Sequence, residues 1–308
     1  MKRTIVLGTL LVCGGLSLTA AAVQQPPAGQ AAPKVVEVEK LKDNYYVLKG
    51  GGGNSSVFIT ANGVVVVDTK NPGWGQPLLD AIKTVTSKSV TMIINTHTHG
   101  DHVSGNVEFP ATVDVVTHEN TAANMKAMRP NSSAAPSPTP PPNIFTDNGG
   151  KNLAKRTFKD TMTLGSGADR IELHYFGRAH TNGDAVVYFP AHRIAHIADV
   201  FPTTELPIMD GNNGGTGVAY ADTLTKVLAF TEKNADVLVN GHRNTTSTNA
   251  DLKAFIGFIR GYVRDAQAAK KAGKTADEFA SGWQPPTGYT AQPARVRGDA
   301  QVVFAETR

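Results

Sequence analysis

The chain has 308 residues, of which 40% are hydrophobic, 18% are charged and 7% are aromatic. This composition suits a globular protein that buries a core, and it excludes a disordered chain, a collagen-like repeat and a polytopic membrane protein. The formal net charge is +4, and Lys2 and Arg3 at the extreme N-terminus supply two of these charges. So small a basic excess gives no reason to expect a nucleic-acid partner.

The first 22 residues have the pattern of an export signal. Lys2 and Arg3 are followed by an apolar stretch at residues 5–18 and by three alanines at 20–22, which suit a cleavage site. The apolar stretch is shorter than the roughly 20 residues of a membrane-spanning helix. We therefore expect no stable membrane anchor, with a retained N-terminal anchor or a lipid on Cys13 as the alternatives. The mature protein is predicted to be periplasmic or secreted.

Cysteine usage limits the chemistry of the mature chain. Cys13 is the only cysteine and lies inside the predicted signal peptide. The mature protein would then have no disulfide, no thiolate ligand and no cysteine nucleophile. A metal site in this chain must be built from histidine and carboxylate side chains.

After a predicted linker at residues 23–34, short apolar or alternating runs separated by turn-forming residues predict strands. These runs are at 35–38, 45–48, 57–59, 64–67, 90–95, 113–116, 157–164, 171–176, 185–189, 194–198 and 237–240. Helical periodicity predicts helices at 77–87, 119–128, around 224–228 and at 251–271, the last with Asn249 as a candidate cap.

The order of these elements predicts an α/β fold. Strands, helix, strand and helix follow one another in the first half of the chain and again in the second half. Two mixed sheets packed face to face with helices outside satisfy this order, which gives a four-layer α/β/β/α sandwich in one domain at residues 35–273. Loops are predicted at 130–142, which holds six of the 18 prolines, and at 201–217. Residues 274–308 are predicted to be an irregular tail.

The most informative segment is Asn-Thr-His-Thr-His-Gly-Asp-His at residues 95–102. It follows the predicted buried strand 90–95, and open α/β folds place ligands at the carboxyl ends of strands. Four potential metal ligands lie within six residues, namely His97, His99, Asp101 and His102. A polar surface loop is the alternative, but so dense a cluster of histidine and aspartate favours a metal site.

This segment resembles the His-x-His-x-Asp-His motif of the metallo-β-lactamase superfamily, which is expected to have further ligands at later strand ends. His180 follows the predicted strand 171–176, Asp199 follows 194–198, and His242 follows 237–240. The resemblance covers about residues 35 to 262. It implies the four-layer sandwich described above and a metal-dependent hydrolase.

The resemblance also implies which metal each residue binds. Metal one would be bound by His97, His99 and His180, and metal two by Asp101, His102 and His242, with Asp199 bridging both. This set is similar to that of the glyoxalase II and lactonase branch, and it lacks the cysteine of one β-lactamase subclass. Five imidazoles and two carboxylates suit two Zn²⁺ ions, with iron or manganese as alternatives.

By resemblance, a hydroxide that bridges the metals would attack the carbonyl of an ester, lactone, thioester or amide, β-lactams included. Asp101 is taken as the catalytic residue beside the metals. The site would retain a small net positive charge, which suits a small-molecule substrate that is anionic. The alternatives are an iron-dependent oxidoreductase of the same fold and a non-catalytic metal-binding protein.

The remaining histidines of the mature chain are predicted to be structural or solvated, and they are His118, His174, His192 and His196. Asp68 and Asp184 are predicted to support the ligand-bearing loops. Four segments are expected to border a substrate cleft, at residues 50–56, 71–75, 129–142 and 201–217.

Overall fold

Two mixed sheets form the centre of the fold in the computed structural model, which describes residues 33–132 and 142–308. The predicted signal peptide, nearly all of the predicted linker and most of the proline-rich segment lie outside these residues. Among the described residues, no helix combines the length and the apolar character needed to cross a membrane.

The first sheet has seven strands in chain order. They are β1 (Glu37–Lys42), β2 (Tyr45–Lys49), β3 (Ser55–Thr60), β4 (Gly63–Val67), β5 (Val90–Asn95), β6 (Asp114–His118) and β7 (Arg156–Phe158). Strands β1 to β4 pair antiparallel, and β4 to β7 pair parallel.

The second sheet has the order β12-β11-β10-β9-β8. Its strands are β8 (Thr161–Leu164), β9 (Ile171–Tyr175), β10 (Ala185–Phe189), β11 (Ile194–Ala198) and β12 (Val237–Asn240). The pair β11–β12 is parallel, and the other pairs are antiparallel. The α-helices are α1 (Gly75–Lys83), α2 (Gly100–Val103), α3 (Glu119–Ala127), α4 (Ile144–Asp147), α5 (Tyr220–Asn234), α6 (Asn249–Lys271), α7 (Ala276–Gly282) and α8 (Pro293–Glu306).

The run of four valines in β4 explains how the layers form. Successive side chains of a strand point to opposite faces of the sheet. Val65 and Val67 therefore join the core between the two sheets, whereas Val64 and Val66 pack with Leu78 of α1 on the outer face. Helices α5 and α6 cover the outer face of the second sheet. The predicted four-layer sandwich is confirmed.

The predicted irregular tail at 274–308 is wrong, because these residues contain α7 and α8. Val296, Ala300 and Val303 of α8 are buried in the same core as α5 and α6. Their offsets of 0, 4 and 7 form one helical stripe, but Gly298 and Asp299 interrupt the surrounding pattern. Helix α7 begins at a capping box.

Two local predictions are also wrong. Residues 157–164 do not form one strand, because the chain leaves the first sheet after β7 and enters the second sheet at β8. Asn249 is not the cap of α6. Thr248 is the N-cap, since its side chain accepts a hydrogen bond from the N–H of Asp251, whose carboxylate bonds back to Thr248.

Candidate metal centre

Seven predicted ligands meet at one edge of the sandwich, beyond the carboxyl ends of β5, β11 and β12. Parallel strands bring their carboxyl ends to the same edge, so side chains that are distant in sequence become neighbours. Potential ligand atoms lie within 4.8 Å of one another in the group His97, His99, His180 and Asp199, and in the group Asp101, His102 and His242. A third group, Asp68, His97 and His102, overlaps both.

The first group is built around two imidazoles whose nitrogens face each other. His180 Nε2 lies 2.9 Å from His99 Nδ1 and 3.5 Å from an oxygen of Asp199. His97 Nε2 is 4.0 Å from the same oxygen, and it is buried with no hydrogen-bond partner among the described residues. A buried polar atom without a partner is costly, and a cation at this position would satisfy it.

The second group surrounds the carboxylate of Asp101. His242 Nε2 lies 3.2 Å from Asp101 Oδ2, and His102 Nε2 lies 3.6 Å from it. The two histidine nitrogens are 3.4 Å apart. This group is more exposed than the first, since the side chains of His242 and Asp101 are 34% and 30% accessible.

Asp199 belongs to the first group and also contacts the second. Its Oδ2 is 3.5 Å from His180 Nε2 in the first group and 3.3 Å from His242 Nε2 in the second. Its Oδ1 is 3.4 Å from His102 Nε2 and is buried without a hydrogen-bond partner among the described residues. This is the position that a carboxylate bridging two metal ions would need.

Outer partners determine which ring nitrogen of three histidines faces the centre. His99 donates from Nε2 to Asp210 Oδ2 at 2.7 Å, and His180 donates from Nδ1 to the carbonyl of Ile208 at 2.7 Å. When both rings are neutral, these bonds leave a lone pair on His99 Nδ1 and on His180 Nε2, and the two nitrogens face each other. Two lone pairs at this separation repel, whereas a shared cation would bind both. The donor set thus fits a metal ion.

His102 is oriented from the opposite side. Its Nδ1 donates to Asp68 Oδ2 at 2.7 Å, which leaves Nε2 facing Asp101 and Asp199. Asp68 also accepts from the N–H and the hydroxyl of Thr96, so its carboxylate supports the ligand-bearing loop, as predicted. Such outer hydrogen bonds set the orientation and basicity of metal ligands.

The loop that carries His180 is supported by a second buried carboxylate. Asp184 accepts hydrogen bonds from the backbone N–H of Thr181 at 2.9 Å and from its hydroxyl. Burial raises the pKa of Asp184 to about 6, while these hydrogen bonds oppose the shift. The predicted supporting role of Asp184 is confirmed by these contacts.

In the metal-free protein, the histidines of the two groups have different protonation states. Burial lowers the pKa of His180 to about 3, which leaves a neutral imidazole with a lone pair. The carboxylate of Asp199 is the largest influence on His242 and raises its pKa to about 11, against the effect of burial. Burial also opposes protonation of His102, but Asp101 and two further carboxylates raise its pKa to about 9. The second group therefore holds protons that a metal ion must displace.

Asp199 itself stays ionised. Burial would raise the pKa of its carboxyl group, but His242 and His102 hold that pKa well below the usual range. An ionised carboxylate is the form that binds a metal ion.

Two glycines allow the backbone to approach the centre. A Cβ on Gly53 would lie 2.2 Å from Cε1 of His102, and a Cβ on Gly241 would lie 1.7 Å from Oδ1 of Asp199. Real Cβ atoms do not reach such distances, so any larger residue at Gly53 would displace His102, and any larger residue at Gly241 would displace Asp199. The Gly53 N–H also donates to the carbonyl of Asp101 at 3.0 Å.

A cleft of about 810 Å³ opens directly over both groups. Predicted ligands line its floor, and Arg129, Leu206, Ile208 and Arg295 lie on its walls. Of the segments expected to border it, 129–142 and 201–217 contribute several residues and 71–75 contributes only Pro72. Residues 50–56 do not line it and instead pack behind Asp101 and His102.

Sequence reasoning missed Asp210 and Arg295. Asp210 lies in a loop rich in glycine and asparagine, 111 residues from His99, and no local pattern marks it as a partner. Arg295 lies in α8, within the segment predicted to be irregular. A helical stripe at 296, 300 and 303 is the signal that could have identified α8.

The other histidines lie outside the two groups, as predicted. His118 caps α3 and stacks on Tyr175, and His174 contacts Glu172. His192 packs beside aromatic rings at the end of the sandwich. His196 is fully buried in β11, with Nδ1 hydrogen-bonded to a serine hydroxyl.

Comparisons with known proteins place the chain in a family. Residues 48–242 match a family model described as the metallo-beta-lactamase superfamily. The chain is 26% identical over 229 residues to the metallo-beta-lactamase type 2 of Elizabethkingia meningoseptica, covering 70% of this chain and 81% of that protein.

Solved structures share the fold. A metallo-beta-lactamase from Pontibacter korlensis superposes with a TM-score of 0.58 at 20% identity, covering 73% of this chain and 99% of that one. The stereoselective inverting sec-alkylsulfatase Pisa1 from Pseudomonas sp. gives a TM-score of 0.63 at 14% identity, covering 88% of this chain and 50% of that one.

Proposed function

Because the chain belongs to the metallo-beta-lactamase superfamily and is a metal-dependent hydrolase, we propose that it is an exported enzyme that works with two zinc ions. The proposed substrate is a small molecule with an ester, lactone, thioester or amide bond, which includes β-lactams. The main support is the position of His99 Nδ1 and His180 Nε2, whose lone pairs face each other across an N···N distance of 2.9 Å.

Each proposed metal has three ligands of its own and shares a fourth. His97, His99 and His180 would hold metal one, and Asp101, His102 and His242 would hold metal two, with Asp199 shared. Imidazole and carboxylate groups without thiols suit zinc. When bound, zinc ions lower the pKa of water toward about 7 and polarise the carbonyl oxygen of a substrate.

The two carboxylates of the centre differ in accessibility, which supports different roles. The side chain of Asp101 is 30% exposed and lines the cleft, whereas that of Asp199 is 7% exposed. We assign Asp101 the catalytic role of orienting the reacting groups from its position on the cleft floor. Asp199, enclosed by histidines, would act as the bridging ligand.

The walls of the cleft support an anionic substrate. Arg129 and Arg295 lie on them, and Arg295 is fixed by a hydrogen bond from Nη1 to the carbonyl of Leu206 at 2.9 Å. Among the described residues, no carboxylate lies within 4.0 Å of the Arg295 guanidinium. Glu205 also lines the cleft, so the excess of positive charge on the walls is small. Guanidinium groups favour carboxylates and similar planar anions.

The direct test is a substrate panel on zinc-loaded mature protein, covering nitrocefin, homoserine lactones, thioesters and aryl esters. We expect two zinc ions per chain, hydrolysis of at least one substrate class, loss of activity on chelation and recovery with zinc. His97→Ala should deplete mainly metal one, and Asp101→Ala mainly metal two. A fully loaded wild type with a single metal ion would contradict the two-metal proposal, and bound iron with oxygen consumption would favour the oxidoreductase.

Export is tested separately from catalysis. Mature protein isolated from the cell envelope or the medium should begin near Val23 and contain no thiol. A chain that still begins at Met1, or that carries a lipid on Cys13, would contradict the proposed signal peptide.

A further inference from the structure

One peptide group connects the C-terminal helix α8 to a proposed ligand of metal one. Its carbonyl, on Ile208, accepts the hydrogen bond from His180 Nδ1 at 2.7 Å. Its N–H, on Met209, donates to Oδ1 of Asp299 at 2.9 Å. Asp299, this peptide group and His180 therefore form a continuous hydrogen-bonded chain that ends at the metal centre.

Asp299 is an unusual residue for a helix that packs against a core. Its side chain is fully buried, and its Oδ2 has no hydrogen-bond partner among the described residues. Burial raises the pKa of Asp299 to about 8. A buried carboxyl group with one partner costs free energy that an apolar residue would not. A carboxyl group at this position therefore stabilises the fold less than an apolar residue would.

Helix α8 has other contacts that hold it in place. Val296 and Val303 are buried in the core, and Arg295 donates to the carbonyl of Leu206. At the other end of the helix, the Glu306 carboxylate accepts from the side chain of Thr216 and from two following backbone N–H groups. Asp299 is therefore one of several contacts that dock α8.

The segment that Asp299 contacts supplies hydrogen-bond acceptors to two of the histidines proposed to bind metal one. Ile208 supplies the carbonyl that accepts from His180, and Asp210 supplies the carboxylate that accepts from His99. Hydrogen bonds in series polarise one another, so an acceptor at the Met209 N–H strengthens the Ile208 carbonyl as an acceptor. The same bond fixes where that carbonyl lies.

We propose that Asp299 is a positioning residue for metal one, which acts on His180 through the Ile208–Met209 peptide group. The proposal rests on the proposed function, because it takes His180 as a metal ligand. The family model matches residues 48–242, so Asp299 lies outside the matched segment.

The test compares Asp299→Leu, which removes the acceptor at similar size, with Asp299→Asn, which keeps an acceptor oxygen. Zinc affinity is measured by competition with a chromophoric chelator, and the His180 Nδ1–H proton is followed by NMR in zinc-loaded, ¹⁵N-histidine-labelled protein. Asp299→Leu should weaken one of the two zinc sites about 10-fold or more and move the Nδ1–H signal upfield. Asp299→Asn should restore both properties.

Two controls make the outcome decisive. Glu306→Gln alters the other end of α8 and should leave zinc affinity and the His180 signal unchanged. Asp299→Ala removes the acceptor without adding bulk, and it replaces the leucine variant if that variant does not fold.

Three results would overturn the proposal. In the first, the variant without the acceptor matches the wild type in affinity and signal. In the second, Glu306→Gln weakens zinc binding as much as that variant does, which would indicate a general effect of helix docking. In the third, the wild type binds no zinc, or the His97→Ala variant binds zinc as tightly as the wild type does. The proposed function then fails as well.

Discussion

Asp210 accepts a hydrogen bond at 2.7 Å from Nε2 of His99, although 111 residues separate them in sequence. The bond places the ring proton of His99 on Nε2 and leaves the Nδ1 lone pair facing His180. Burial would raise the pKa of Asp210, but the hydrogen bond from His99 holds that pKa below its usual range. An ionised Asp210 therefore holds the His99 ring in one orientation, with Nδ1 toward the candidate metal centre.

Removal of the Asp210 carboxylate should weaken metal one. We expect Asp210→Ala to lower zinc affinity at one site about 10-fold to 100-fold, because His99 loses the partner that selects its tautomer. Competition titration with a chelator measures this change. Asp222→Ala, which removes an exposed carboxylate on α5, is the control and should bind zinc normally. Equal affinities for the two variants would contradict a role for Asp210.

Replacement of Asp199 by asparagine tests the bridging role. Asp199→Asn keeps the shape of the side chain but removes a negative charge and one good ligand. We expect it to fold normally, to bind at least one metal ion about 10-fold more weakly and to lose most of its turnover. Metal analysis together with turnover on the best substrate provides the measurement. Two retained metals with near-normal rates would show that Asp199 does not bridge.

An added methyl group at Gly53 should damage the second site. A Cβ there would lie 2.2 Å from the His102 ring, so Gly53→Ala must displace that ring or the loop. We expect loss of one metal ion per chain and most of the activity. Gly257→Ala is the matched control, because a Cβ at Gly257 meets nothing within 4 Å and alanine favours the helix. Normal metal content in Gly53→Ala would show that the loop adapts.

Metal binding should release protons from the second site. In the metal-free protein at about pH 7.5, His102 and His242 are protonated, since their pKa values are raised to about 9 and about 11. Zinc must displace these protons, so its affinity should rise with pH, and the two histidines should release about two protons in addition to the proton lost by zinc-bound water. Calorimetry in two buffers of different ionisation enthalpy counts them. His242→Ala should release about one fewer, and a count of zero in the wild type would contradict the assignment.

Asp299 should make folding stability depend on pH. Its pKa is about 8 in the folded protein and about 3.8 in the unfolded chain, so its favourable contribution is complete below about pH 4 and is lost as the pH rises to about 8. Asp299→Asn does not titrate, and its free energy of unfolding relative to wild type should increase over this range. Urea denaturation at several pH values measures the difference. Glu306→Gln should show no such increase, and parallel curves for Asp299→Asn and wild type would contradict this prediction.

Much of the fold and the positions of the predicted ligands were determined by the sequence itself. Valine-rich runs such as β4 predict buried strands, and the ligands at 97–102 and at 242 directly follow such runs. Strand ends in a parallel arrangement meet at one edge, so the order of motifs predicts that these residues come together. Both properties are local in sequence, because periodicity and the end of a strand depend on neighbouring residues.

The tertiary structure alone decided which atoms face one another. Asp210 reaches His99 only because the loop that carries it packs over the centre, and Asp299 and Arg295 reach that loop only because α8 packs beside it. Residues 157–164 have a continuous strand pattern, yet they divide between the two sheets. These contacts join residues far apart in the chain, and their geometry depends on how whole elements pack. Hydrophobic periodicity does not encode that packing, so the choice of ring nitrogen and its outer partners could not be predicted from sequence.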